Sequence, residues 1–280
     1  RIAPRHFADL KWDNIGLLVD SVDPPAHTQS RVALSLDLTS AVVEECVAKQ
    51  IGVLVCYHPV IFPSVTSLRA NNPKQRALLL AIRNGIAIIS PHTALDNCPD
   101  GINSWIVKGV YKHCCTKSTM CYDDDIADVH HSDPVFSLSY VDRENFQGAK
   151  VQSTVKIALC ELIEAMKKHF KVQHVRCSLG VGHTLSHSIT TIGVCAGSGA
   201  SVLRPLVGSI DCVISGEMGH HDILHFQQSR TTVLLVEHGP SERGFLSEVL
   251  RPRLLAELRA PEGEVQVLTL ESDLTLLTYE

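Results

Sequence analysis

The chain alternates between short apolar runs and longer stretches whose apolar residues recur at helical spacing. The runs over 32–36, 52–56 and 86–89 predict strands, and the unbroken apolar run over 52–56 is typical of a strand buried on both faces. Residues 39–49 and 73–85 lie between these runs and predict helices. The alternation of strands and helices along the chain predicts an α/β fold with mostly parallel sheets.

The same alternation returns in the second half of the chain. Further helices are predicted over 99–111, 155–170, 217–228 and 241–258, the last kinked at Pro252, and further strands over 174–179, 189–195, 212–215, 231–236 and 265–270. We therefore expect two similar layered α/β halves around a central cleft. The predicted boundaries are 1–112 for the N-terminal half, 113–154 for a linker or shortened insertion, and 155–280 for the C-terminal half.

Composition narrows the class of protein. The 280 residues are 45% hydrophobic, which permits a sizeable core, and the net charge of -5 gives no support to nucleic-acid or anionic membrane binding. The ten cysteines form no Cys-x-x-Cys pair, so we expect reduced thiols rather than disulfides or a zinc-thiolate site. We expect a cytoplasmic protein, with the nucleus as a second location. The chain begins at Arg1, which leaves open a mitochondrial targeting segment ahead of it.

Imidazole and carboxylate side chains follow several predicted strands, where sites in open α/β sheets are usually found. His58, Asp96 and His238 lie just beyond predicted strands, and Glu242 falls in the first helical turn after His238. These donors suit a divalent transition metal, and they can hold two ions if Glu242 bridges. Each also has an ordinary explanation, as a loop histidine, a helix-capping aspartate or a first-turn acid.

Two other stretches carry weaker signals. His130 and His131 beside Asp133 can bind metal, but polar residues before a proline favour a solvated turn. Gly197-Ser198-Gly199 can bring the backbone close to a phosphate at a helix start, although a plain tight turn is the more common use of such glycines.

Five motifs occur in order along the chain. They are Trp12-Asp13-Asn14-Ile15-Gly16-Leu17-Leu18-Val19, Tyr57-His58-Pro59-Val60-Ile61-Phe62, His92-Thr93-Ala94-Leu95-Asp96, Gly216-Glu217-Met218-Gly219-His220-His221-Asp222 and Glu237-His238-Gly239-Pro240-Ser241-Glu242-Arg243-Gly244. Together they resemble the NIF-three-like family, also called the GTP cyclohydrolase I type 2 homologues. The resemblance extends over most of the chain.

The resemblance implies a dinuclear site holding one or two divalent ions per subunit, of the zinc, iron or manganese type. By position, His58 and Asp96 would be ligands of one ion, His238 of the other, and Glu242 the bridge. Tyr57 stands where many bacterial relatives have a histidine. Because a phenol is normally protonated at neutral pH, the second ion is expected to bind more weakly.

Further site residues follow from the same resemblance. His92 would orient Asp96 or serve a structural role. Glu217 and His221, with His220, would lie on the rim of the cleft as ligand-orienting or substrate contacts; a polar helix start is the alternative.

Function and assembly are also implied. The resemblance suggests a toroidal hexamer and a metal-dependent hydrolase that uses a metal-activated water, with the purine ring of GTP suggested by the family name alone. The alternative is a non-catalytic metal-handling or regulatory scaffold that binds transcriptional partners.

Overall fold

The computed structural model describes residues 2–22, 24, 28, 30–114, 136–142, 147–259, 264–274 and 276–277. Within them the chain forms two compact units. The first contains residues 1–95 and 243–280, and the second contains residues 96–242. No helix among the described residues is long and apolar enough to cross a membrane.

Strands and helices alternate along the chain. The strands are β1 (Gly16–Val19), β2 (Arg31–Ser35), β3 (Val53–Cys56), β4 (Ala87–Ser90), β5 (Phe136–Asp142), β6 (Gln147–Ala158), β7 (Arg176–Ser178), β8 (Ser188–Ser198), β9 (Cys212–Glu217), β10 (Thr232–Leu235) and β11 (Gln266–Thr269). The α-helices are α1 (Ser40–Ala48), α2 (Pro73–Arg83), α3 (Thr93–Asn97), α4 (Ile102–Cys114), α5 (Leu159–Phe170), α6 (Ala200–Leu203), α7 (His220–Gln228), α8 (Pro240–Phe245) and α9 (Arg251–Glu257). The prediction of a mixed α/β protein is confirmed.

The first unit is built on a five-stranded sheet in the order β1-β4-β3-β2-β11. Strands β11, β2, β3 and β4 are parallel, and only β1 runs antiparallel at the edge. The predicted helices α1 and α2 begin at side-chain caps. Thr39 Oγ1 accepts from Val42 N at 3.1 Å, and Asn72 Oδ1 accepts from Gln75 N at 3.1 Å.

The end of the chain is held in the first unit by side chains of that unit. Arg243 pairs with Asp273 at 2.5 Å, and Asp273 Oδ2 accepts from Leu36 N at 3.1 Å. Glu45 accepts hydrogen bonds from Ser272, and its carboxylate pairs with Lys49. Burial would raise the pKa of Glu45, but these hydrogen bonds outweigh it and lower the pKa to about 2.

The second unit is built on a six-stranded sheet in the order β5-β6-β8-β9-β10-β7. Strands β8, β9 and β10 are parallel in the middle, with antiparallel neighbours on both sides. The carboxyl ends of these three strands therefore lie on one edge of the sheet and their amino ends on the opposite edge. The predicted sheets are confirmed, with more antiparallel edges than the alternation suggested.

The predicted helix over 155–170 is wrong in its first turn. Residues up to Ala158 belong to β6, and α5 begins at Leu159. Buried Val151 and Ser153 flank exposed Gln152, which is the two-residue period of a strand. Antiparallel pairing of β6 with β8 extends to Ala158 and overrides the local helical spacing.

The segment predicted as one helix over 241–258 is three consecutive pieces. A π-helical turn over Leu246–Leu250 separates α8 from α9, whose first turn contains Pro252. Proline has no N–H to donate to the preceding turn, which gives the predicted irregularity its physical cause. The predicted linker over 113–154 falls in large part outside the described residues.

Candidate metal-binding site

His238 and Glu242 lie side by side in the second unit, just beyond β10. His238 Nε2 is 3.3 Å from Glu242 Oε1. The Glu242 residue is 2% exposed, so its carboxylate lies in a buried setting where a charge must be compensated. Two ligand atoms about 2.1 Å from one tetrahedral ion are about 3.4 Å apart, so the observed spacing matches a shared ion.

Glu217 orients His238. Its Oε1 lies 3.0 Å from His238 Nδ1, which leaves Nε2 as the ring nitrogen beside Glu242. A carboxylate on the far nitrogen is the usual companion of a metal-ligating histidine, because it fixes the ring and raises its basicity. Glu217 was predicted to be a ligand-orienting or substrate contact, and its position at the end of β9 suits the first of these roles.

Glycine at position 197 leaves room for these two donor atoms. Its φ is +58°, and a Cβ built there would lie 2.7 Å from Glu242 Oε1 and 3.1 Å from His238 Nε2. Glycine is therefore required at position 197 by the closeness of two protein donor atoms, and a phosphate near the Gly197–Gly199 turn stays a prediction.

Hydrogen bonds hold the loop after β10 in place although one of its residues has a strained backbone. Glu237 has a φ of +71°, which side chains other than glycine rarely adopt, and its carboxylate holds Arg176 through two hydrogen bonds of 2.6 and 3.3 Å. Ser241 Oγ accepts from Gly197 N at 2.9 Å and donates to His238 O at 2.6 Å. These contacts hold the backbone that carries His238, and the sequence did not predict a role for Ser241 or Arg176.

Asp96 lies in the same unit as Glu242. Burial raises the pKa of the Cys195 thiol, and the carboxylates of Asp96 and Glu242 raise it further. Both acids therefore lie within electrostatic reach of one thiol on β8. Asn103 Nδ2 donates to the backbone oxygen of Asp96 at 3.0 Å, which ties α3 to α4.

His58 occupies the corresponding position in the first unit, just beyond β3. Its Nδ1 lies 3.0 Å from Asp37 Oδ1. The arrangement repeats that of the histidine in the second unit, with a carboxylate on Nδ1 and Nε2 left as the ligand nitrogen. Asp37 was missed from the sequence, although it follows β2 and the strand-end rule that selected His58 would have selected it too.

Tyr57 and His92 pack against His58 in the first unit. The Tyr57 residue is 1% exposed, and its ring meets those of His58 and His92 edge-on, with centroids 5.0 and 5.7 Å apart. His92 has a φ of +33°, and its Nδ1 partner is Asp13 at 2.8 Å. Burial would raise the pKa of Asp13, but hydrogen bonds from His92 and Thr93 outweigh it and leave the pKa below its ordinary value.

The remaining candidates lie elsewhere. His221 is exposed on α7, and its ring centroid is 5.3 Å from that of His220. His130, His131 and Asp133 lie outside the described residues. The second unit thus groups His238, Glu242, Glu217 and Asp96, and the first groups His58, Tyr57 and His92. That the two groups share one centre stays a prediction.

The fold and these groups define an α/β protein of two sheets, with histidine–carboxylate pairs after the carboxyl ends of strands. The family model described as Duf34/NIF3 (NGG1p interacting factor 3) matches residues 1–274. The chain belongs to this family, and the resemblance drawn from the five motifs is confirmed.

Named relatives agree with this assignment. NIF3-like protein 1 of Drosophila melanogaster is 35% identical over 247 residues, which cover 88% of this chain and 76% of that protein. NGG1-interacting factor 3 of Saccharomyces cerevisiae is 32% identical over 268 residues, covering 91% of this chain and 87% of the yeast protein.

Solved structures share the fold. Reduced HcgD from Methanocaldococcus jannaschii superposes with a TM-score of 0.73 at 19% identity, covering 96% of this chain and 93% of that chain. The Bacillus cereus protein related to NIF3 gives 0.72 at 15% identity, covering 100% and 95%. At these identities the likeness concerns the fold alone.

Proposed function

We propose that His58, His238 and Glu242 hold a divalent metal ion and that the chain is a metal-dependent hydrolase. The observation that carries this proposal is the repeated carboxylate on Nδ1. Asp37 and Glu217 each lie 3.0 Å from the Nδ1 atom of a candidate ligand histidine, and both arrangements leave Nε2 for an ion.

The donor set suits zinc, iron or manganese, which accept imidazole nitrogen and carboxylate oxygen together. Asp96 is proposed as a further ligand, and Glu242 as the bridge if two ions bind. Because Tyr57 offers a neutral phenol in place of an imidazole, the second ion is proposed to be the weaker one.

The chain's own residues have separate roles in this proposal. When bound, a divalent ion supplies Lewis acidity and eases the deprotonation of water near neutral pH. Asp37 and Glu217 orient the two imidazoles and keep Nε2 unprotonated. The buried Glu242 carboxylate brings negative charge, and Gly197 leaves space beside it.

Metal content and hydrolysis test the proposal together. Protein purified without added metal should contain about one equivalent or more of a transition metal by elemental analysis. A panel of nucleotides and small amides should include a substrate whose hydrolysis stops with chelator and returns with the metal. Glu242→Gln should lose both metal and hydrolysis, whereas Glu164→Gln, at an exposed acid on α5, should lose neither. Metal-free protein that hydrolyses the substrate at the full rate would refute the proposal.

A second candidate function is a regulatory scaffold. It is favoured by the name of the yeast relative, which describes an interacting factor of NGG1. We propose protein partners of this kind for a chain acting in the cytoplasm or nucleus, and a homo-oligomer, as a hexamer. A metal-loaded protein with no hydrolytic activity on the panel, which captures the same partners as its Glu242→Gln variant, would favour the scaffold.

A further inference from the structure

A cleft lies in the second unit, at the amino ends of the parallel strands β8, β9 and β10. It is therefore on the sheet edge opposite to the one followed by His238. Its volume is about 640 Å³, and it is formed by the loops that precede the three strands. Clefts of this size are in the usual range for small-molecule sites. None of the residues that line it is a candidate metal ligand or orients one.

Two histidines stack in this cleft. The rings of His183 and His187 are 3.6 Å apart at their centroids and 15° from parallel. Two protonated imidazoles repel each other at this distance. Burial lowers the pKa of His183, and His187 and Arg230 lower it further, while Asp211 opposes them. The cleft thus concentrates groups that an anion would stabilise.

A buried hydroxyl engages one ring nitrogen of His183. Its Nδ1 is 2.9 Å from Thr232 Oγ1, and that oxygen also accepts from Gly180 N at 3.1 Å. Either group of this pair can be the donor, because the Thr232 hydroxyl has one proton and two lone pairs. When the ring is protonated, Nδ1–H donates to Thr232 and Nε2 carries a second proton that an anion can accept.

Arg230 adds a permanent positive charge. It has a φ of +61° directly after the end of α7, a place where glycine or asparagine is usual because other side chains are strained there. Among the described residues, no carboxylate forms an ion pair with its guanidinium. Arg230 lines the same cleft as the stacked histidines, and its charge acts on His183.

Asp211 is the acidic residue that lines the cleft, and its carboxylate already accepts hydrogen bonds from the protein. Its Oδ2 accepts from Thr190 N at 2.7 Å, from Thr190 Oγ1 at 2.9 Å and from Thr191 N at 2.9 Å. Burial would raise the pKa of Asp211, but these donors outweigh it and hold the pKa below its ordinary value. A carboxylate with three donors repels an incoming anion less than a bare one.

We propose that this cleft binds the phosphate group of a small organic phosphate, with His183, His187 and Arg230 as its donors. A guanidinium fork matches phosphate oxygens, and protonated imidazoles donate charge-assisted hydrogen bonds to them. The remaining volume would receive the organic part. Gly182 and Gly208 border it in left-handed conformations, and a Cβ on either would meet no heavy atom within 4 Å.

Imidazole NMR signals test this site directly. Metal-free protein is titrated with inorganic phosphate or ribose 5-phosphate at constant ionic strength, and rings are assigned from His183→Gln and His187→Gln spectra. We expect saturable shifts at His183 and His187 and a rise in the pKa of both, with His225 unchanged. Tighter binding of ribose 5-phosphate than of inorganic phosphate would support an organic ligand. Equal affinities for the two probes would show that the free phosphate ion is the ligand. No saturable shift with either probe at millimolar concentration would overturn the proposal.

A pair of arginine variants separates recognition from general charge. Arg230→Gln should weaken phosphate binding by about tenfold or more, since it removes a charge-assisted contact. Arg204→Gln removes an exposed cation of the same unit that pairs with Asp222 at 2.6 Å, and it should leave the affinity unchanged. Equal effects of the two variants would overturn the assignment of Arg230, and an unchanged amide spectrum in each shows that the fold is kept.

Discussion

Gly197→Ala offers the sharpest test of the candidate metal site, because the substitution adds one methyl group beside two donor atoms. The new Cβ would lie 2.7 Å from Glu242 Oε1 and 3.1 Å from His238 Nε2. Ordinary contacts of this kind are about 3.5 Å, so the buried carboxylate must retreat by several tenths of an ångström. Retreat changes the spacing between Oε1 and Nε2, which is 3.3 Å in the native protein.

Two costs add in this variant. A left-handed backbone costs an alanine about 1–2 kcal/mol, and forcing a group into a packed site costs about 1–3 kcal/mol. Gly208→Ala is the matched control. Its φ is +76°, and a Cβ there meets no heavy atom within 4 Å, so it carries the backbone cost alone.

Urea unfolding of the metal-free proteins measures the difference. We expect Gly197→Ala to be less stable than Gly208→Ala by about 1–3 kcal/mol. In competition with a chelator, Gly197→Ala should bind zinc at least tenfold more weakly than the native protein, which corresponds to about 1.4 kcal/mol. Gly208→Ala should bind zinc as the native protein does. Equal stability and equal zinc affinity in the two variants would refute the close approach of Gly197 to a metal-binding pair.

Three other variants test single residues. Glu242→Gln should lose more metal than Tyr57→Phe by elemental analysis, since a buried carboxylate brings charge and a neutral phenol does not; equal retention would contradict the bridging role. Asp37→Asn and Glu217→Gln should each weaken metal binding about 10- to 100-fold in chelator competition while both histidines remain; undiminished affinity would show that the Nδ1 contacts are incidental. Glu45, with its pKa lowered from 4.5 to about 2, stabilises the fold above pH 4.5 and loses this contribution as the pH falls toward 2. Acid unfolding curves of the wild type and Glu45→Gln should converge over that range, and a difference that stays constant would contradict this role.

The histidines after the strands could be found from the sequence because the signal is local. A buried apolar run ends, and the first polar residues beyond it, such as His58 and His238, lie at the edge of a sheet. The five ordered motifs then identified the family. Helix starts at Thr39 and Asn72 were equally accessible, since a capping side chain acts within three residues of the chain.

The tertiary structure decided what depends on distant partners. Strand β6 runs on to Ala158 because it pairs with β8 across the sheet, a contact that helical spacing in the sequence cannot register. Strand β11 joins β2, which precedes it by more than two hundred residues. Pairing of this kind follows from what a strand meets in space, and local propensity does not contain it.

The site divides in the same way. The sequence by itself determined which donor types stand at the strand ends, because that depends on residue identity and the alternation of apolar and polar positions. Only the tertiary structure could decide that Asp37 contacts His58, that Glu217 contacts His238, and that Gly197 borders Glu242, since each pair is more than 20 residues apart along the chain. The direction of a side chain is set by the packing and hydrogen bonds around it, and these exist only once the chain has folded.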